Sequence, residues 1–355
     1  MIKRTPLHQL HLEASAKMID FNGWEMPIHY GSQLKEHKLV RGSCGIFDVS
    51  HMTILDIEGR EDEKFLRSLL SNDITFLQEN YDGLYSAMLN DGGGVIDDLT
   101  AFKMPFGYRL VVNCATGKTD LKWIHENSEG KSLTIKERED LAMIAMQGPW
   151  TFKILSKFLP SELMENLTTK QPFQGCTDRD TLVTKTGYTG EIGVEIMLPS
   201  KKAEALWTKA IDSGAYPTGL AARDTLRLEA GMNLYGSEMD ENISPLECNM
   251  SWVVSLKDED RNFIGKQSFL KKKEKGDFHT LKGLVFKERS IARSLQEVYF
   301  DEEKEIKGVV TSGSYSPTLK KSIALARIPP THLKTCVAKI RGKTIKATVG
   351  QPRFV

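Results

Sequence analysis

The sequence predicts an α+β protein of two to three domains whose last domain is a small strand-only barrel or sandwich. Three observations carry that reading. The chain has 355 residues, and at about 150 residues per domain this length fits two to three of them. Amphipathic helical stretches alternate with glycine-punctuated turns as far as the polar run Lys271-Lys272-Lys273-Glu274-Lys275-Gly276. Beyond that run the pattern changes to short strands separated by turns, the signature of a small β-domain.

Composition narrows the class. Hydrophobic residues make up 40% of the chain and charged ones 27%, ordinary proportions for a globular protein that buries several cores. The net charge of +1 supplies no field for nucleic acid or an anionic membrane. The cysteines at positions 44, 114, 176, 248 and 336 are scattered and form no C-x-x-C, so zinc-site and thioredoxin readings lack support. Reduced thiols in a cytoplasmic protein are the expectation. Residues 1–6 contain no apolar run of the secretory type, and no stretch approaches the ~20 apolar residues of a membrane span.

Residues 33–43 carry Leu34, His37, Leu39 and Val40 with charges between them, predicting an amphipathic helix. Residues 46–57 alternate loosely and are rich in β-branched side chains, so they read as one strand. Residues 61–70 read as helix. Residues 85–103 read as a hairpin, with apolar runs at 85–89 and 95–102 flanking Asn90-Asp91-Gly92-Gly93-Gly94. Such Asx and Gly residues tolerate the positive φ of a tight reversal. A short strand at 109–113 precedes a helix around 119–127. A second turn, Gly187-Tyr188-Thr189-Gly190-Glu191-Ile192-Gly193, separates strands near 181–186 and 194–198. Helices are expected over 202–212 and 222–230. The lysine run reads as a solvated linker close to a domain boundary, and 308–310 and 323–326 read as strands of the terminal domain.

Several motifs carry nothing. Gly117-Lys118-Thr119 ends like a phosphate loop, but position 112 is Val112 where that loop needs glycine. Gly92-Gly93-Gly94 does not extend into a dinucleotide fingerprint. The histidines show no metal-binding spacing, and His51 reads as structural.

Three sets of residues carry chemistry. Asp97 and Asp98 are adjacent on a strand, so they face opposite sides. One face holds Ile96, Asp98, Thr100 and Phe102, the other Val95, Asp97, Leu99 and Ala101. A carboxylate among apolar neighbours costs several kcal/mol to desolvate unless it is paired, which marks a function or a specific partner. Periodicity does not choose between the two acids, and both capping the hairpin stays open. Glu195 shares a strand face with Gly193 and Met197; it reads as a solvated acid or as one standing over a cleft kept open by Gly190 and Gly193. Arg223 and Arg227 lie one helical turn apart, and ion pairing with neighbouring acids accounts for them equally well.

The chain resembles the glycine cleavage T-protein family over nearly its whole length. The matching stretches begin with Lys3-Arg4-Thr5-Pro6-Leu7, Phe21-Asn22-Gly23-Trp24-Glu25-Met26-Pro27 and Gly45-Ile46-Phe47-Asp48-Val49-Ser50-His51-Met52. They continue through Gly93-Gly94-Val95-Ile96-Asp97-Asp98-Leu99, Gly187-Tyr188-Thr189-Gly190-Glu191, Gly219-Leu220-Ala221-Ala222-Arg223-Asp224 and Met239-Asp240-Glu241-Asn242. Ser251-Trp252-Val253-Val254 and Thr311-Ser312-Gly313-Ser314-Tyr315-Ser316-Pro317 complete the set.

The resemblance implies a three-domain cloverleaf around a central tetrahydrofolate site, with a C-terminal β-barrel. It implies a discontinuous domain of residues 1–49 and 138–260, an α+β domain of 50–137 carrying the hairpin, and a barrel of 277–355. The implied reaction passes a methylene group from the lipoyl arm of H-protein to tetrahydrofolate, releasing ammonia and using no metal. On the same basis Asp98 is the catalytic acid. Glu195 is the acid that grips the pterin, and Tyr85, Asn113, Tyr188, Arg223 and Trp252 are further folate contacts. Three features depart from the family pattern: the ending Gln351-Pro352-Arg353-Phe354-Val355 lacks an aromatic-rich tail, Phe102 stands where some relatives have tyrosine, and Arg293-Ser294-Leu295 lacks a glycine. The same fold also serves folate-dependent demethylases and non-enzymatic folate-binding proteins. The N-terminal stretches and the paired aspartates favour the transferase. The Lys-Gly-Cys signature of the folate-binding iron–sulfur factor is absent, the corresponding stretch reading Asn262-Phe263-Ile264-Gly265-Lys266-Gln267.

Overall fold

Leu141–Gln147 is seven residues long and buried throughout, and a strand covered on both faces belongs in the middle of a sheet. In the computed structural model, which describes residues 2–288, 290–300 and 306–355, it pairs antiparallel with Gly193–Pro199 on one side and Gly45–Asp48 on the other. The six-stranded sheet runs Gly175–Asp178, Thr181–Thr184, Gly193–Pro199, Leu141–Gln147, Gly45–Asp48, Tyr216–Pro217. Ile46, Ile144 and Ile196 pack there with Ile154, Leu163, Leu167 and Trp207 from three helices, Thr151–Leu155, Ser161–Thr169 and Ala203–Asp212.

A second, five-stranded sheet runs Gly83–Leu89, Val95–Met104, Gly107–Val112, Thr53–Gly59, Leu133–Glu137. The chain divides into two compact units. One holds Met1–Arg67, Ile74–Ser86 and Leu99–Asp224; the other holds Ser68–Asp73, Ala87–Asp98 and Thr225–Val355. The chain therefore passes from one unit to the other within both strands of the hairpin expected from the sequence.

The glycines of that hairpin have a packing reason besides the turn. Gly93 has φ +80, and a Cβ on Gly94 would lie 1.8 Å from the carbonyl oxygen of Glu241. Around this contact the Val95 N–H donates to the carbonyls of Asp240 (3.1 Å) and Ile243 (3.0 Å), and Asn90 Nδ2 donates to that of Glu241 (2.8 Å). The Met239–Asn242 motif is thus the segment that lies against the triple glycine.

Two local expectations change. Residues 46–57 are not one strand: Gly45–Asp48 and Thr53–Gly59 belong to different sheets. The Asp48 carboxylate accepts the Ser50 N–H at 2.9 Å and the Met52 N–H returns to the Val49 carbonyl at 3.1 Å, a side-chain-nucleated turn that composition concealed. The lysine run is the end of a helix, Lys266–Lys275, closed by Gly276 in the left-handed conformation. Lysines in a last helical turn complement the partial negative charge of the exposed carbonyls.

The C-terminal domain is a closed six-stranded barrel, in the order Thr280–Phe286, Lys321–Ile328, Lys307–Ser316, Glu297–Tyr299, Thr335–Ile340, Lys343–Gly350. Leu284, Phe286, Val298 and Ile345 fill it. The short tail is tied to the helix Leu220–Ala230 through Phe354 N–H to the Glu229 carbonyl (2.9 Å). The buried Glu229 carboxylate accepts the hydroxyls of Ser316 (2.5 Å) and Thr318 (2.8 Å).

Gly94→Ala forces the Glu241 backbone to move and is expected to cost about 1–3 kcal/mol in urea unfolding, the usual cost of overpacking. Gly92→Ala, whose Cβ meets nothing nearer than Asn90 Oδ1 at 3.2 Å, is the matched control and should stay within about 0.5 kcal/mol of wild type. Equal stabilities for the two variants would contradict the packing account.

Candidate functional site

On the strand Gly193–Pro199, Val194 and Ile196 turn into the core while Glu195 takes the opposite face, half-buried. Its cross-strand neighbours are Ala145 and Thr184, both small. The Thr184 and Thr186 hydroxyls are 2.7 Å apart, and the Thr186 side chain hydrogen-bonds the Glu195 carboxyl. Burial pushes this carboxyl above the ordinary value, against the lowering effects of the Thr186 hydroxyl and the Arg223 charge. Arg223 itself, in the first turn of the helix Leu220–Ala230, stacks its guanidinium 4.3 Å from the centre of the Tyr188 ring. A cation so placed is attracted by the ring's negative face.

The loop carrying Tyr188 is pinned from beneath. A Cβ at Gly187 would sit 1.9 Å from Gln147 Oε1, and one at Gly193 would sit 2.3 Å from Gln147 Nε2. Gln147 fills that space, donating to the Thr186 carbonyl (3.1 Å) and accepting the Thr189 hydroxyl (2.9 Å). Arg41 clamps the same loop through the Thr189 carbonyl (2.7 Å) and the Glu191 carboxylate (2.9 Å). Sequence reasoning missed Gln147, Thr186 and Arg41. The one available signal was the pair of glycines bracketing the loop, which required a bulky group beneath them.

His51 lies within the electrostatic reach of Arg223. It is buried in the turn between Val49 and Met52, its ring edge-on to Phe21 with centroids 5.5 Å apart. Burial first, then the Arg223 charge, press its pKa down to about 4, with Asp48 acting in the opposite sense. Its Nδ1 is buried and finds no hydrogen-bond partner among the described residues, a condition that ordinarily costs about 1–3 kcal/mol.

The second unit holds the aspartate pair's outer acid. Asp97 is fully buried on the face of Val95, Leu99 and Ala101, whereas Asp98 is half-buried on the face of Ile96, Thr100 and Phe102. The charge of Asp98, after burial, is the largest influence raising the Cys248 thiol to about 12. Trp252 lies in the one-turn helix Ser251–Val253, 63% exposed, and the Val253 carbonyl accepts the Ser71 hydroxyl at 3.0 Å. Arg227 does not join Arg223: its guanidinium pairs with the buried Glu238 at 2.9 Å and donates to Ser312 at 2.9 Å. In the first unit, Tyr85 is half-buried on Gly83–Leu89, and Asn113, also half-buried, follows Gly107–Val112 and accepts the Thr116 hydroxyl on its carbonyl at 3.2 Å. Glu195, Arg223 and Tyr188 thus form one group, with Thr186 bonded to the acid and Arg223 stacked on the ring. Tyr85 and Asn113 lie in the same unit, and Asp98 and Trp252 in the other. Among the described residues no three His, Cys, Asp or Glu side chains gather as a metal site, and no helix is long and apolar enough to cross a membrane.

The strands and helices define a protein class of mixed α and β architecture that ends in a closed barrel. Residues 7–258 match the GCVT N-terminal domain, and residues 280–355 match the glycine cleavage T-protein C-terminal barrel domain. An aminomethyltransferase of Pseudomonas syringae pv. tomato is 46% identical over 355 residues, covering 100% of this chain and 98% of that protein. One of Alcanivorax borkumensis is 48% identical over 355 residues, covering 100% of this chain and 97% of that protein. The crystal structure of glycine cleavage system aminomethyltransferase T from Bartonella henselae superposes with a TM-score of 0.92 at 33% identity, covering 100% of this chain and 98% of the other. The chain belongs to the glycine cleavage T-protein family and is an enzyme of that family.

The raised Glu195 pKa has a definite sign in stability. The folded protein holds this proton more tightly than the unfolded chain. The resulting stabilisation is complete below the ordinary value of 4.5 and is lost as pH rises through the higher folded value. Glu195→Gln removes that loss. Its unfolding free energy should therefore gain on wild type as pH rises above 4.5, and a difference independent of pH would contradict the burial of the carboxyl.

Proposed function

We propose that this chain is the cytoplasmic aminomethyltransferase of glycine cleavage. It takes the aminomethyl group carried on the lipoyl sulfur of H-protein and passes its methylene to tetrahydrofolate. Ammonia, the dihydrolipoyl carrier and 5,10-methylenetetrahydrofolate leave. The single observation that carries this reading is the half-buried Glu195 carboxyl beside the Arg223–Tyr188 stack. The pterin presents a ring N–H and an exocyclic amino group side by side, and a carboxylate accepts both in a planar fork. Each such charge-assisted bond is worth roughly 1.5–3 kcal/mol. The Thr186 hydroxyl takes one of about four lone-pair sites on the carboxyl, which leaves the fork open to a ligand.

The other residues take roles that suit their chemistry. Arg223 and Tyr188, locked face to face, offer a charge and an aromatic surface whose positions do not need to be organised on binding. Tyr85, Asn113 and Trp252 add further folate contacts. Asp98, the more accessible acid of its pair, orients N5 toward the methylene carbon, favours the cationic aminomethyl species and receives the N10 proton. Holding both reactants in register supplies much of the remaining acceleration.

Ammonia release from aminomethylated H-protein, measured with and without tetrahydrofolate, tests this directly. Release should depend strongly on folate, and release that ignores folate would overturn the proposal. Asp98→Asn should keep folate affinity within about threefold while losing roughly 10²–10⁴ in kcat, the range for a removed acid–base group. Unchanged turnover in that variant would remove Asp98 from the mechanism.

A further inference from the structure

Gln147 ends a strand whose preceding residues, Leu141 to Met146, are all apolar. Its side chain is enclosed, with the residue 1% exposed, and an amide so placed is costly unless both of its ends are bonded. Here both ends are bonded, and to different segments. Nε2 donates to the carbonyls of Met146 (3.1 Å), Thr186 (3.1 Å) and Val194 (3.4 Å), whereas Oε1 accepts the Thr189 hydroxyl (2.9 Å). Three facing carbonyls fix which end is the donor. The amide therefore holds the chain on both sides of Tyr188, at Thr186 and at Thr189. It also holds Val194, the residue before Glu195, and Thr186, whose hydroxyl bonds the Glu195 carboxyl. The Thr189 hydroxyl extends the restraint by accepting the Glu191 N–H at 3.2 Å. A methionine such as the neighbouring Met143 or Met146 would fill the same space, but it would not dictate where the loop lies over it.

We infer that Gln147 is a positioning residue for the folate co-substrate. It touches no ligand itself, and it sets the Tyr188 ring, with Arg223 stacked on it, at a fixed place relative to the Glu195 carboxyl. This inference rests on the folate reading given above. A flat ring system gripped at one edge by Glu195 and laid beside the Tyr188–Arg223 stack needs both supports in register, and a shift of about 1 Å in one support is enough to weaken the fit. The two halves of the amide divide the task. Oε1, through Thr189, governs Tyr188; Nε2, through Thr186 and Val194, governs the acid.

The test separates positioning from general support of the fold. Tetrahydrofolate dissociation constants, KM for aminomethylated H-protein and melting temperatures are measured for wild type, Gln147→Glu, Thr189→Val, Thr189→Ser, Tyr188→Ala, the Thr189→Val/Tyr188→Ala double variant and Glu195→Gln. Thr189→Val keeps the shape of the side chain and removes the hydroxyl that Gln147 accepts. It should bind folate about tenfold more weakly, the effect of about 1.4 kcal/mol, and leave KM for H-protein unchanged. Thr189→Ser restores the hydroxyl and should restore affinity. In the Tyr188→Ala background Thr189→Val should weaken folate no further, because the two positions act as one. Gln147→Glu turns an acceptor toward three carbonyls and should weaken folate more than Thr189→Val does; where it fails to fold, the Thr189 series decides alone. The inference is overturned by a Thr189→Val protein that binds folate as wild type does, by one that loses folate and H-protein equally, or by one whose loss is the same with and without the Tyr188 ring. Wild-type protein that binds no folate, or Glu195→Gln that binds it undiminished, would sink the folate reading and this inference with it. A normal Glu195 effect with an unaltered Thr189→Val would sink this inference alone.

Discussion

The desolvation of Glu195 is the constraint on which the first unit's functional group depends. A carboxylate withdrawn from water is costly unless charge or hydrogen bonds compensate it, and here the compensation comes from a hydroxyl and a guanidinium on two other segments. Thr186 reaches the acid only because the strand Thr181–Thr184 pairs with Gly193–Pro199 in a fixed register. Arg223 reaches it from a helix whose preceding residue, Gly219, has no room for a side chain: a Cβ there would meet the Ile28 carbonyl at 2.4 Å. Moving any of these segments leaves the acid less compensated, so local backbone geometry and site electrostatics are coupled.

The aspartate pair follows a different logic. Two adjacent acids on a strand must divide between two faces, and burial divides them unequally, with Asp97 enclosed and Asp98 half-open. The close passage of residues 240–243 over Gly94 and Val95 fixes where the strand starts, and hence which acid takes which face. Substituting at Gly94 therefore acts on the register of the acids as well as on stability.

Much of this was legible from residues alone, for identifiable reasons. The hairpin was visible because Asx-Gly clusters are among the strongest short-range signals a sequence carries. The barrel was visible because short alternating strands with frequent turns leave few other options. The break at Val49–Met52 was not, since it is made by the Asp48 side chain and not by glycine or proline. Neither was the helix under the lysine run, where solvated side chains give no apolar stripe to read. In the site, motif resemblance singled out Glu195, Arg223 and Tyr188 together. Gln147 and Thr186 escaped because their importance is in the space between strands distant in sequence, which periodicity does not encode.

The most direct test of the central claim is a crystal structure with tetrahydrofolate bound. The account predicts the pterin's ring N–H and amino group within hydrogen-bonding distance of the Glu195 carboxylate, beside the Arg223–Tyr188 stack. A pterin lodged elsewhere, with Glu195 touching only Thr186 and solvent, would contradict it.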